Sequence, residues 1–166
     1  MIGTHPTVGC LVFLRMGSPQ TAIRRVLAAL DTLVKDNGRE DQRRLIRASI
    51  GDEQAEGLIF AQPGNEDRST VVFVEFDEEA TALLAERRGK SLDVLLLPFV
   101  MACEKVAEAG AVGIGFEASV PEGFDDHSLK SAGIAVLFER DKAGMTWSRR
   151  DIFRLTAHTE RSLAHA

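Results

Sequence analysis

The segment DVLLLPFVMACE, Asp93 to Glu104, constrains the fold more than any other part of this chain. Ten apolar residues in a row, Val94 to Cys103, stand between two carboxylates. A membrane span needs roughly 20, so protein must cover this one. Leu92, Leu95, Leu96, Phe99, Cys103, Val106 and Ala107 recur at helical spacing, and Val94, Leu97, Val100 and Met101 fill the remaining faces. The pattern predicts a helix over 91–109, apolar nearly all round and buried on every side. Pro98 falls past its first turn, which predicts a kink there or a helix that starts near Pro98.

Such a helix needs a sheet beneath it. "STVVFVEFD", Ser69 to Asp77, is apolar on both faces until Glu75, the pattern of a central strand. "VGCLVFLRM" (Val8 to Met16) reads as a second buried strand, and "GLIFAQPGN" (Gly57 to Asn65) as a third, stopped by Pro63-Gly64. "VGIGFEASV" (Val112 to Val120) alternates strictly, and "GIAVLFERD" (Gly133 to Asp141) is its expected antiparallel partner. Two hairpins, Leu58–Phe76 and Val112–Glu139, follow. The stretch 39–56 fits either a strand, with Arg44, Ile46, Ala48 and Ile50 on one side, or a short helix.

Three helices complete the pattern. Ser18 and Pro19 open one whose apolar positions run from Ile23 to Val34, with Asn37-Gly38 as its expected end. Asp77 caps a second, closed by Gly89, with Glu78 and Glu79 at its start and Arg87 and Arg88 at its end, matching the helix dipole. A terminal helix is expected over about 148–164, opened by a Ser148/Asp151 capping box. The expected fold is a single α+β domain: a mainly antiparallel sheet of about five or six strands, helices packed on one face, and a C-terminal helix. The first strand–helix pair leaves room for one parallel neighbour.

A length of 166 residues, 45% hydrophobic and 27% charged, suits one domain with a full core. The net charge of −5, a single Trp and no Tyr argue against a nucleic-acid partner, though nine Phe are present. Nothing suggests a membrane surface. The N-terminal stretch lacks a basic leader, and Cys10 and Cys103 sit in apolar runs as free thiols, which points to the cytoplasm.

Few residues advertise chemistry. Gly89-Lys90-Ser91 resembles the end of a phosphate loop, but Leu84 stands where the first glycine belongs and a helix leads in. It reads as a helix cap. "GAVGIG" (Gly110 to Gly115) has the glycine density of a dinucleotide loop in the reverse structural order. Gly113 and Gly115 instead expose backbone beside Glu117 and Ser119, where a crossing helix or a ligand would lie. Asp125, Asp126 and His127 carry metal-ligand chemistry, yet adjacent loop residues seldom converge on one ion. They read as a solvated turn, and no metal or cofactor is expected. His5, His158 and His165 read as surface. Arg24, Arg25, Arg39, Arg43, Arg44 and Arg47 read as a mixed, solvated face.

Two readings of function follow. The first is a non-catalytic binding module, expected to form a homodimer or meet a protein partner through spare apolar surface at Leu92, Leu96, Phe99 and Val100. The second is a small enzyme or ligand-binding protein with a pocket over Gly113, Gly115, Glu117 and Ser119. In it, Glu117 or His127 would move the proton.

Overall fold

The computed structural model describes residues 6–40 and 43–155. Eight strands form one sheet: β1 (Thr7–Leu14), β2 (Val34–Glu40), β3 (Arg43–Ile50), β4 (Glu53–Pro63), β5 (Thr70–Asp77), β6 (Ala109–Phe116), β7 (Ile134–Arg140) and β8 (Trp147–Asp151). Four helices accompany them: α1 (Pro19–Ala29), α2 (Glu78–Arg88), α3 (Leu92–Cys103) and α4 (Asp126–Ser131). The sheet order is β2-β3-β4-β5-β1-β6-β7-β8, and every neighbouring pair is antiparallel. The α+β class is as expected, and so are both hairpins, β4–β5 and β6–β7.

Several expectations are corrected. Among the described residues the sheet has eight strands, not five or six. The described part of 39–56 is strand and turn, not helix: β2 runs to Glu40, and β3 turns through Gly51 and Asp52, both with positive φ, into β4. β1 has no parallel neighbour, because β5 and β6 both flank it antiparallel. The first helix stops at Ala29, well short of Asn37-Gly38. Leu30 caps it, and the N–H groups of Leu33 and Val34 both turn back to the Leu30 carbonyl, which launches β2. The expected helix over 148–164 begins instead as a strand, β8, paired along β7. The rest of that span, with His158 and His165, lies outside the described residues, as does His5.

α1, α2 and α3 cover one face. Beneath them lie Val8, Cys10, Val12, Ile59, Val72, Val74, Phe76, Ile114 and Val136, together with the inner side of α3. Leu92, Leu95, Leu96, Phe99, Val100 and Cys103 are buried there, each large side chain contributing about 1.5–3 kcal/mol. α3 is not buried on every side, however. Val94 (48%) and Met101 (54%) are exposed, and Pro98 lies on the same outer stripe. That position explains why the helix continues through proline. The backbone hydrogen bond that Pro98 cannot make belongs to the carbonyl of Val94, on the side that faces water. None of the described helices is long and apolar enough to cross a membrane.

The opposite face carries α4, so the helices are not all on one side. Leu11, Val71, Phe73, Ala111, Leu129, Ala132, Ile134 and Leu137 form a second, smaller core there. It exists because the chain leaving β6 doubles back. Residues 117–125 cross that face from one end of the strands to the other, and α4 then returns toward the start of β7.

Candidate functional site

The doubling back of residues 117–125 creates a cavity of about 550 Å³ where β1, β4 and β7 end and β5 and β6 begin. Its apolar part is made by Phe13, Leu14, Val71, Ala111, Val120, Pro121 and Phe124. Phe13 meets Phe124 edge to face at 5.1 Å between ring centroids. Across the sheet Phe13 pairs with Ala111, so a large residue stands opposite a small one. Gly110 lies next to it, in the irregular register at the edge of β6, and a Cβ built there meets nothing within 4 Å. The small pair Gly110-Ala111 thus leaves the space.

Three loops wall it in. The β4–β5 hairpin contributes Gly64, Asn65, Glu66 and Ser69, and the Asn65 amide donates to the Pro121 carbonyl of the crossing segment. The β7–β8 turn contributes Asp141 to Gly144. The polar groups divide in two. Glu139 accepts from Arg150 Nε at 3.0 Å. Asp141 accepts from the Met145 N–H at 2.8 Å and from the Thr146 hydroxyl at 2.7 Å, and these bonds hold its carboxyl below the ordinary range. Ser69 Oγ donates to the Glu66 carbonyl at 2.6 Å. Arg140 donates to the carbonyls of Glu104, Val106 and Ala107. Arg15, Glu66, Glu122 and Lys142, by contrast, present side chains with no partner among the described residues, two of each sign around the mouth.

The residues singled out from sequence fall elsewhere. Gly113 and Gly115 are buried under the second core. A Cβ on Gly113 would lie 3.2 Å from Ile134 Cγ2, and one on Gly115 would lie 2.6 Å from the Gly133 carbonyl oxygen. Protein fills that part of the face. Glu117 and Ser119 are exposed on the crossing segment. Glu117 adopts φ +45 while its N–H holds the Thr7 carbonyl, at the end of β6 away from the cavity. His127 is exposed in the first turn of α4, behind the Asp125 cap, whose carboxylate takes both the N–H and the hydroxyl of Ser128. Glu117 and His127 are therefore not brought together. Among the described residues no cluster of His, Cys, Asp or Glu is arranged to hold a metal ion.

Leu92, Leu96, Phe99 and Val100 are all buried inside the protomer, so they offer no surface to a second copy. Gly89 sits at φ +63 and closes α2, its N–H bonded to the Glu86 carbonyl, and Lys90 is a solvated residue after that cap. Both thiols are buried. Burial pushes Cys10 up to about 12 and Cys103 well above the ordinary thiol range. The arginines are dispersed: Arg25 pairs with Glu108, Arg44 with Asp36 and Arg47 with Glu56, while Arg43 sits 5.0 Å over the Phe60 ring.

The cavity itself was missed from sequence. The available signal was the run Ala109-Gly110-Ala111, three small residues entering a strand whose neighbour carries Phe13. Compared with known proteins, the chain matches no family model and no curated sequence.

Proposed function

We propose that the protein is a non-catalytic binding module that takes a small, largely apolar organic molecule into the cavity beside Phe13 and Ala111. A volume of about 550 Å³ lies within the range of roughly 300–1,000 Å³ typical of small-molecule sites. The observation that carries the reading is the placement of Gly110-Ala111 opposite Phe13, which keeps an apolar space open where an ordinary strand residue would fill it. Binding rather than catalysis is favoured by the use of the inner polar groups. Glu139, Arg140, Asp141 and Ser69 are each engaged within the chain, and the described lining holds no nucleophile beside a base. Arg15 and Lys142 against Glu66 and Glu122 make a mouth of balanced charge, suited to a neutral or zwitterionic end group. The two buried thiols fit a reducing, cytoplasmic setting.

The test uses 8-anilinonaphthalene-1-sulfonate as an apolar probe, with near-ultraviolet circular dichroism confirming a native fold. Wild type should bind it saturably, and Ala111→Phe should abolish binding. Gly110→Val, at a position with free space for a Cβ, should weaken it. A folded Ala111→Phe protein that binds the probe as wild type does would remove the cavity from the function.

A further inference from the structure

We propose that β8 is the docking edge for a second copy of this chain, the two β8 strands pairing antiparallel about a two-fold axis through Ser148, so that one sheet runs through both copies. This goes beyond the cavity and does not depend on it.

β8 ends the sheet, and among the described residues no strand pairs with its outer edge. An open edge is a template for another strand unless something blunts it. The other edge is blunted: β2 carries a register shift between Asp36 and Gly38, Gly38 adopts φ +130, and the Asp36 carboxylate folds back onto the Gly38 N–H. β8 has none of these devices. Its register with β7 runs unbroken from Trp147 to Asp151, without proline or glycine. Charge does not guard it either. Arg149 is held by Asp93 at 2.8 Å and Asp151 at 3.0 Å, and Arg150 by Asp126 and Glu139, each at 3.0 Å.

Complementarity selects a second copy and the register. With the axis through Ser148, a small neutral side chain meets itself. Arg149 of each copy then lies across from Trp147 of the other, and Arg150 across from Thr146. Residues two apart share a sheet face, so these are true cross-strand neighbours. The Arg–Trp pairing repeats one made within the chain, where Arg140 Cζ lies 4.9 Å over the Trp147 ring. Moving the axis to Arg149 or Arg150 would set two guanidinium groups face to face, which cross-strand energetics disfavour.

The experiment is sedimentation velocity over a concentration series of the full chain. Wild type should show concentration-dependent dimerisation. Ser148→Lys, at an exposed position, should weaken it by about tenfold or more, because two ammonium groups then oppose each other. Mixing Ser148→Lys with Ser148→Glu should restore a dimer. Ser148→Cys should form an intermolecular disulfide under mild oxidation, since Cys10 and Cys103 are buried. A wild type that stays monomeric throughout, or a dimer lost in Met101→Asp but intact in Ser148→Lys, would overturn the proposal. So would the absence of cross-linking by Ser148→Cys.

Discussion

The guanidinium of Arg140 lies 4.9 Å over the indole of Trp147 while its Nη atoms bond the carbonyls of Glu104, Val106 and Ala107. One side chain thereby gathers the carbonyls of the turn that follows α3, residues 104–107, and joins that turn to the β7–β8 hairpin. Its Nε is buried and has no partner among the described residues. Lysine cannot reproduce this, because a single ammonium cannot span three carbonyls and stack a planar group on the ring. Arg140→Lys should cost roughly 2–3 kcal/mol, the scale of charge-assisted hydrogen bonds. Urea unfolding followed by the emission of Trp147, the single tryptophan, measures it directly. A midpoint unchanged from wild type would refute the clamp.

The three glycines of β6 should respond to alanine in a fixed order. At Gly115 the new methyl would lie 2.6 Å from the backbone oxygen of Gly133, which cannot swing aside. At Gly113 it would meet Ile134 Cγ2 at 3.2 Å, a side-chain atom able to give way. At Gly110 it meets open space. Gly115→Ala should therefore destabilise by about 2–3 kcal/mol, Gly113→Ala by about 1 kcal/mol or less, and Gly110→Ala hardly at all. Thermal or urea denaturation of the three variants gives the ranking. If Gly115→Ala is as stable as wild type, the backbone at Gly133, entering β7, is not packed against that strand.

Substitutions along α3 should separate core from surface. Leu96 is fully buried (0% exposed), whereas Met101 is half exposed on the outer stripe with Val94 and Pro98. Leu96→Asp places an unpaired carboxylate in the main core and should cost more than about 4 kcal/mol, enough to unfold many domains of this size. Met101→Asp should stay within about 0.5 kcal/mol of wild type. Circular dichroism melts distinguish the two outcomes. A folded Leu96→Asp protein would contradict the burial of α3.

What the sequence revealed and concealed follows the range of the forces involved. β5 was legible because both of its faces are apolar, a local mark of a central strand. α2 was legible because Asp77, Glu78, Glu79, Arg87, Arg88 and Gly89 each act within one turn. β2 was hidden because Leu30, Leu33 and Val34 continue the spacing of α1, while their actual conformation is set by pairing of Val34 with Ala48. At β8 a local capping pattern competed with the ladder to β7 and lost. The informative signal there was the alternation of Arg149, which reaches Asp93 and Phe138, with Arg150, which reaches Glu139 and Asp126. The cavity depends on residues 120–124 returning to meet Phe13 and Asn65, contacts between segments more than fifty residues apart, and no single stretch encodes them.

Glu75 should make stability depend on pH in a direction opposite to that of most carboxylates. It lies part-buried on the face that carries the second core, accepting from the Thr7 hydroxyl at 3.1 Å. Burial pushes its carboxyl above the ordinary range, and the Thr7 bond and the charge of Arg43 only partly offset this. The folded protein thus holds the proton more tightly than the unfolded chain does. Its contribution is most favourable below the ordinary carboxylate value and is lost as pH rises through the elevated folded value. Glu75→Gln keeps an oxygen for Thr7 and removes the desolvated charge. It should therefore be more stable than wild type at about pH 7 and converge with it at about pH 4. Urea midpoints of both proteins across that interval check the sign. A difference that stays constant with pH, or that grows on acidification, would show that Glu75 is charged in the fold without cost.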